Sequence, residues 1–187
     1  IVYVGEHAPR REAVRMVDAH GLAVAPGFIN MLAHPEESLF ADGRALSDLT
    51  QGVTLEVMGE DSMGPLTPPM RRLMTERQGD IKYPVDWTTL DGYLRKLEAR
   101  GIAPNVASFV GAGVVRSNLL GERDIQPTPA QLQSMRVLVR QAMEQGALGL
   151  TTALIYSPNQ YAKTPELIAL AKQSAACGGM YIAHMRS

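Results

Sequence analysis

One pattern recurs along this chain and constrains its fold more than any other feature. A helix-like segment ends at a glycine, and the glycine leads into a short apolar run that finishes in polar or small residues. The joins are Gly52 before VTLEVMGE, Gly101 before NVASFVG, Gly146 before ALGLTTAL and Gly179 before MYIAHM. A glycine that ends a helix and precedes a buried strand is typical of a loop between the two. With GFINMLAH there are five candidate strands, and strands that alternate with helices indicate a parallel sheet with right-handed crossovers.

The segments between these strands carry helix signals of their own. Residues 128–131 (TPAQ) combine a capping threonine, a proline at the first helical position and a glutamine three residues past the cap. Apolar residues repeat at helical spacing over 132–143 and over 90–97, and Thr164-Pro165 begins another helix. The four prolines between Pro65 and Trp87 predict a long loop that carries a short helix.

The first 25 residues have a different character from the rest of the chain. They contain two β-like runs, IVYVG and VRMVDAHG, separated by a polar turn over 6–12. We therefore predict a domain boundary that separates residues 1–25 from residues 26–187. Because both ends of the sequence lie within structured-looking runs, we expect a fragment of a longer protein.

Composition excludes several classes of partner. The chain has 187 residues, 45% of them hydrophobic and 20% charged, with a formal net charge of -1. That balance predicts no binding to nucleic acid, and the apolar runs are too short to cross a membrane. The single cysteine cannot form an internal disulfide bond, which favours a cytoplasmic location over a periplasmic or secreted one.

Polar residues that can carry chemistry lie where the predicted strands end. The carboxyl ends of parallel strands meet on one side of a barrel, where active sites form. The strand ends are at His34, at Glu60-Asp61, at Gly111-Ala112-Gly113, near Tyr156 and at His184-Met185-Arg186. Two histidines and two carboxylates in such positions predict a metal site or an acid–base site.

Other candidate residues favour structural interpretations. Gly111-Ala112-Gly113 follows a strand, but Arg116 stands where a dinucleotide loop needs its third glycine, so a tight turn is the better interpretation. Cys177 has no histidine nearby, and we expect it to be a small buried residue. His7 and His20 lie in the β-like first section, where we expect surface positions.

The segment APGFIN at 25–30 carries a resemblance to the entry strand of the amidohydrolase superfamily. Together with GVTLEVMGE, PNVASFVGAGVVR, QAMEQGALGLTTALIYSPNQYAKTPELIALA and GGMYIAHMR, it resembles the D-aminoacylase branch, the N-acyl-D-amino-acid deacylases. The resemblance implies a metal-dependent (β/α)8 TIM barrel. Residues 1–25 would belong to a small β-sandwich domain, and residues 26–187 would form about strands one to five of a truncated barrel.

The resemblance also implies a set of metal ligands. His184 matches the metal-binding histidine of the fifth strand, and His34 matches the second histidine of a His-x-His motif. Leu32 stands at the first histidine of that motif and has no lone pair, which places the second of two metal positions in doubt. The implied cofactor is zinc, either as one ion or, where both metal positions are filled, as two.

Further positions depart from the family pattern. The cysteine ligand that follows the second strand corresponds to Asp61, with Glu60 beside it, and we favour Glu60 because it directly extends the strand. Asn30 replaces an aspartate, and Ala112 replaces a histidine. A further histidine ligand and the aspartate that acts as general acid and base are expected beyond Ser187.

The activity that the resemblance implies is hydrolysis of the linear amide of a small N-acyl-D-amino acid, with metal-activated water. Tyr156 and Arg186 are candidates for lining the substrate pocket, and Arg186 is equally a candidate for a structural ion pair. A cyclic-amide hydrolase of the same superfamily remains an alternative, as does a barrel that binds a ligand without turning it over. The fragment alone is predicted to be inactive, and the oligomeric state stays open.

Overall fold

Helices and strands alternate along nearly the whole chain. The computed structural model describes residues 3–5 and 14–186. The elements are β1 (Phe28–Asn30), α1 (Ser38–Ala41), α2 (Leu46–Leu49), β2 (Val53–Met58), α3 (Pro68–Glu76), α4 (Leu90–Arg100), β3 (Asn105–Ser108), β4 (Val110–Gly111), α5 (Ala112–Leu120), α6 (Pro129–Glu144), β5 (Gly149–Ala153), α7 (Thr164–Ala175) and β6 (Met180–His184). A 3-10 turn at Asn159–Tyr161 precedes α7. The predicted mixed α/β fold is thus observed.

The strands form two three-stranded sheets in which every pairing is parallel. The orders are β1-β2-β3 and β4-β5-β6, so the strands are arranged as they follow one another in the chain. Leu55 of β2 pairs with Asn105 of β3, and Ala153 of β5 pairs with His184 of β6. The parallel arrangement agrees with the prediction from the helix–glycine–strand pattern.

The third predicted strand is divided, which corrects the expected count from five strands to six. Phe109 separates β3 from β4. The division follows a change of partner: β3 pairs with β2, whereas β4 pairs with β5. Backbone bonds continue across the junction, because the Phe109 N–H donates to the Met58 carbonyl at 2.8 Å and the Leu148 N–H donates to the Ser108 carbonyl at 3.0 Å. The two sheets are therefore linked through this segment.

The hydrophobic core lies between the sheets and the helices. Leu90, Tyr93 and Leu97 of α4 are completely buried, as are Met135 and Val139 of α6, so both helices bury the apolar face that the sequence predicts. The loop from Pro65 to Trp87 carries α3, also as predicted. No helix in the described part of the chain is both long and apolar enough to cross a bilayer.

Helix α6 begins at the capping box that the sequence indicates. The Thr128 hydroxyl accepts from the Gln131 N–H at 3.3 Å, and the Gln131 side chain accepts from the Thr128 N–H at 2.9 Å. Each bond satisfies a backbone donor that the first helical turn otherwise leaves free. The sequence signal and the observed helix start therefore coincide.

We expect Thr128→Ala to lower the free energy of unfolding by about 1 kcal/mol, because one orphan N–H of α6 loses its acceptor. Chemical denaturation measures the change. Ser134→Ala is the matched control, since its hydroxyl bonds within the body of the same helix. Equal effects of the two substitutions would contradict the importance of the cap.

Two expectations about the rest of the chain are wrong. VRMVDAHG was expected to form a β-like run, but residues 14–25 contain no strand, and no strand of the described residues pairs with them. Cys177 is exposed, not buried, because it follows the end of α7 in a turn where its N–H donates to the Ser174 carbonyl at 2.9 Å. His20 is exposed as predicted, whereas His7 lies outside the described residues.

Candidate functional site

Glu60 is held at the carboxyl end of β2 by a tight backbone turn. Gly59 has a φ of 108°, and a Cβ atom there would lie 2.4 Å from the Phe109 carbonyl oxygen, so glycine alone fits this turn. The Gly59 N–H donates to the Glu36 carboxylate at 3.0 Å. The turn leaves the Glu60 side chain 8% exposed, which gives a nearly buried carboxylate at the strand end.

The Glu60 carboxylate lies between the two predicted strand-end histidines. Its Oε1 atom is 2.9 Å from Nδ1 of His184, the last residue of β6. Its Oε2 atom is 3.8 Å from Nε2 of His34, which follows β1. Both imidazoles are partly open to solvent, at 44% and 60% exposure of the side chain. The structure thus brings Glu60 together with a histidine that lies 124 positions later in the chain.

Asp61, the neighbouring candidate, occupies a different environment. Its side chain is exposed, and among the described residues it forms no ion pair with either histidine. Partial desolvation raises the pKa of the Asp61 carboxyl, and the nearby Glu60 carboxylate adds to the rise. Of the two carboxylates at this strand end, Glu60 is the one that contacts both imidazoles.

Tyr156 and Arg186, the two candidates for lining the substrate pocket, differ in their contacts. The Tyr156 ring meets the His184 ring edge-on, with 5.4 Å between ring centroids. The Arg186 guanidinium donates to the Ala162 carbonyl at 2.5 Å. Within residues 14–186, no carboxylate forms an ion pair with Arg186. The bond to Ala162 instead ties the end of β6 to the loop that precedes α7.

An apolar cavity of about 410 Å³ opens beside Glu60 and His184. Residues from the ends of β1 and β6 line most of it: Met31, Leu32, Ile182, Ala183 and Met185, together with Thr151. An apolar lining lowers the local dielectric constant and strengthens electrostatic interactions inside the cavity. The cavity can therefore receive a small molecule against the carboxylate–imidazole pair.

Leu32 and Ala112, which depart from the family pattern, lie in different surroundings. Leu32 is exposed and lines the cavity, and its N–H donates to the Asn30 side chain at 3.3 Å. Ala112 is buried as the first residue of α5. The segment Gly111-Ala112-Gly113 therefore turns directly from β4 into a helix, and the Gly111 N–H donates to the Ser62 hydroxyl at 2.9 Å.

Glu36 belongs to the site although the sequence pattern does not single it out, because its carboxylate accepts from the Gly59 N–H in the turn that carries Glu60. Its side chain is 8% exposed, and burial raises the pKa of its carboxyl. A sequence signal for Glu36 existed, because this carboxylate follows the strand-end His34 by two residues. Its bond to the Gly59 N–H depends on the turn after β2, which the sequence pattern does not resolve.

Could this site hold a metal ion? Its donors are one carboxylate and two imidazoles, which are among the ligands that zinc accepts. Over residues 3–5 and 14–186, no group of three or more His, Cys, Asp or Glu side chains is arranged to hold an ion by itself. The donor chemistry of His34, Glu60 and His184 fits zinc, and a complete coordination shell requires further ligands.

Comparison with known proteins identifies the class of this chain. D-aminoacylase from Alcaligenes xylosoxydans xylosoxydans is 33% identical over 175 residues, which cover 91% of this chain and 35% of that protein. The crystal structure of D-aminoacylase, described as defining a novel subset of amidohydrolases, matches 87% of this chain and 34% of its own length, with a TM-score of 0.74 and 29% identity. No family model matches the sequence.

A second solved structure extends the comparison. N-acyl-D-glutamate deacylase from Bordetella bronchiseptica, complexed with zinc and a phosphonate mimic of the tetrahedral intermediate, matches with a TM-score of 0.73 and 28% identity over 87% of this chain. The fold is that of the amidohydrolases. Its relatives and structural neighbours are members of the D-aminoacylase branch of that superfamily, the N-acyl-D-amino-acid deacylases, and the resemblance in the sequence is confirmed. The chain spans about a third of the length of these relatives.

Proposed function

We propose that this chain contributes one part of a zinc-dependent hydrolase that cleaves the linear amide bond of N-acyl-D-amino acids. The observation that carries the proposal is the position of Glu60, whose carboxylate contacts His184 at 2.9 Å and lies 3.8 Å from His34 at the ends of three parallel strands. Its relatives, D-aminoacylase and N-acyl-D-glutamate deacylase, support this substrate class.

The proposed architecture is a (β/α)8 barrel in which residues 26–187 form about the first five strands. The parallel strands in chain order and the backbone bonds across Phe109 support this arrangement. Residues 1–25 are proposed to belong to the small β-sandwich domain that precedes such barrels in the family. The single cysteine supports a cytoplasmic location for the protein.

The residues proposed to hold zinc are His34, Glu60 and His184, and Asp61 is the weaker candidate at the second strand. Bound zinc would supply a water molecule of lowered pKa and would polarise the acyl carbonyl. D-aminoacylase has a binuclear metal centre. Because Leu32 cannot donate a lone pair at the first position of the His-x-His motif, we propose one firmly held zinc ion here.

The chain's own residues would prepare the histidine for this role. With its proton on Nε2, His184 would direct the Nδ1 lone pair toward the Glu60 carboxylate 2.9 Å away, so that both groups would be available to the same ion. The Tyr156 ring restricts the rotation of the imidazole from one side. The apolar residues around the cavity would exclude bulk water from the acyl group. Tyr156 and Arg186 are proposed to border the substrate.

A cyclic-amide hydrolase and a non-catalytic ligand-binding barrel are the two alternatives. The relatives named above act on N-acyl-amino acids, which favours a linear amide. The departures at Leu32, Asp61 and Ala112 are the observations on which the non-catalytic alternative depends. Both alternatives make measurable claims about the full-length protein.

The test is to incubate the full-length protein with an N-acetyl-D-amino acid, its L enantiomer and a cyclic amide, and to measure the zinc content in parallel. We expect hydrolysis of the D substrate, loss of that activity on chelation and recovery when zinc is returned. Hydrolysis of the cyclic amide alone would support the cyclic alternative. A protein without stoichiometric zinc that binds the substrate without cleaving it would support the non-catalytic one.

We also expect the 187-residue chain, produced alone, to associate and to hold zinc weakly. Among the described elements, β1 pairs with β2 and β6 pairs with β5, so each leaves one strand edge free. Phe28 and Ile29 on β1, and Met180 on β6, are more than half exposed. Free apolar edges recruit other chains. Size-exclusion chromatography with metal analysis measures both properties, and a stable monomer with one zinc per chain would contradict the expectation.

A further inference from the structure

Another cavity lies on the helix-covered side of β2, between that strand and the segment that carries α1 and α2. Its volume is about 320 Å³. Glu56 of β2 and Asp48 of α2 both line it, together with Asp42, Ser38, Ser47, Pro35 and four apolar residues of the α1–α2 segment. The proposed hydrolase chemistry uses none of these residues.

Glu56 lies deep in this cavity without a balancing group. The side chain is 2% exposed, and its Oε1 atom is buried with no hydrogen-bond partner among the described residues. Burial raises the pKa of the Glu56 carboxyl, and the Asp48 carboxylate raises it further, followed by Glu36. A buried carboxylate that lacks a partner is costly and calls for a ligand.

The cavity has two other carboxylates, of which one is paired with a cation and the other is not. Asp42 is neutralised by Arg44, whose guanidinium bonds both of its oxygens at 2.8 Å. Asp48 receives only neutral donors, the Asn30 amide at 3.5 Å and the Ser47 hydroxyl at 3.1 Å. Within the described ranges, neither Asp48 nor Glu56 forms an ion pair. Two carboxyl groups without a paired cation therefore face one cavity.

The chemistry of the lining selects the kind of ligand. Every polar side chain in the lining presents oxygen, and no histidine, cysteine or methionine is among the lining residues. Oxygen donors suit hard cations such as Mg²⁺ and Ca²⁺, whereas zinc prefers sites with nitrogen or sulfur. Mg²⁺ in proteins commonly uses one or two carboxylates and keeps several waters. A cavity of about 320 Å³ has room for the ion with those waters.

We propose that the cavity between β2 and the α1–α2 segment binds one hydrated divalent cation of the magnesium type, held by Glu56 and Asp48. The charge of the ion would balance the two carboxylates, and water would bond the Glu56 oxygen that now lacks a partner. The site would fix the α1–α2 segment against β2. It is independent of the zinc proposal, because Glu56 and Asp48 have no role there.

Thermal unfolding of the full-length protein with and without millimolar Mg²⁺ tests the proposal. A ligand that binds only the folded state raises the melting temperature, here by about 2–4 °C or more. NaCl of matched ionic strength controls for general screening. Glu56→Gln keeps the shape of the side chain and removes its charge, so we expect this variant to lose the Mg²⁺-dependent rise.

Two further variants keep the result interpretable. Asp48→Asn removes the second carboxylate and should also lose the rise, which covers the case in which Glu56→Gln does not fold. Glu76→Gln, at an exposed position of α3, is the matched control and should keep the full rise. Isothermal titration should find one Mg²⁺ site in the natural protein. An equal rise in the Glu56 and Asp48 variants, or no rise in the natural protein, would overturn the proposal.

Discussion

Replacing Glu60 by glutamine is expected to remove zinc and to abolish hydrolysis of N-acyl-D-amino acids in the full-length protein. The carboxylate is nearly buried and contacts His184 directly, with His34 on its other side. Glutamine has the same shape but carries no charge, so it cannot balance a cation beside His184 in the same way. Loss of a supporting group alone reduces metal affinity about 10- to 100-fold, and we expect a proposed ligand to exceed that range.

Asp61→Asn is the matched control for this experiment, because it removes the charge of the adjacent carboxylate. Metal analysis and the rate of hydrolysis should change little in that variant. His184→Ala should reproduce the loss seen with Glu60→Gln, since both side chains are assigned to the same ion. If Asp61→Asn loses zinc while Glu60→Gln retains it, the assignment at the end of β2 must be exchanged.

The sequence predicted the alternation of elements because its signals are local. A glycine after a helical apolar face and a threonine three residues before a glutamine each act within one turn of the chain. The division of the third strand was not predictable in this way. Phe109 lies inside the run NVASFVG, where no turn residue marks a break, and the break arises only because the strand exchanges one partner for another across the sheets.

The sequence predicted the candidate site, like the fold, only as far as local signals reach. Strand ends located His34, Glu60 and His184, and parallel pairing explains why they meet. The sequence could not separate Glu60 from Asp61 by contact, because that depends on the φ of 108° at Gly59. It also could not reveal Glu36, whose partner is a backbone N–H 23 positions away.

One buried ion pair could not be predicted from the sequence, for a different reason. Arg116 was considered only as the residue that interrupts a glycine-rich motif, yet it is 1% exposed. Its guanidinium pairs with Glu166, 50 positions later and 4% exposed, with 2.5 Å between Nη1 and Oε2, and it also donates to the Ile125 carbonyl. The pair joins α5 to α7 and to the segment before α6. Buried arginine is rare without a partner, and a single sequence does not identify that partner.

Breaking this pair is expected to cause a large loss of stability. Glu166→Gln removes the charge that balances Arg116 and leaves the guanidinium buried without a counter-ion, which costs about 3–5 kcal/mol in buried pairs of this kind. The midpoint of chemical denaturation of the full-length protein measures the effect on the free energy of unfolding. Glu144→Gln is the matched control, because Glu144 pairs with Arg140 at 2.9 Å on the surface of α6, where both side chains are more than half exposed. Exposed pairs contribute little, so that variant should unfold close to the natural protein. Should both variants unfold at the same denaturant concentration, the buried pair would have no special part in joining α5 to α7.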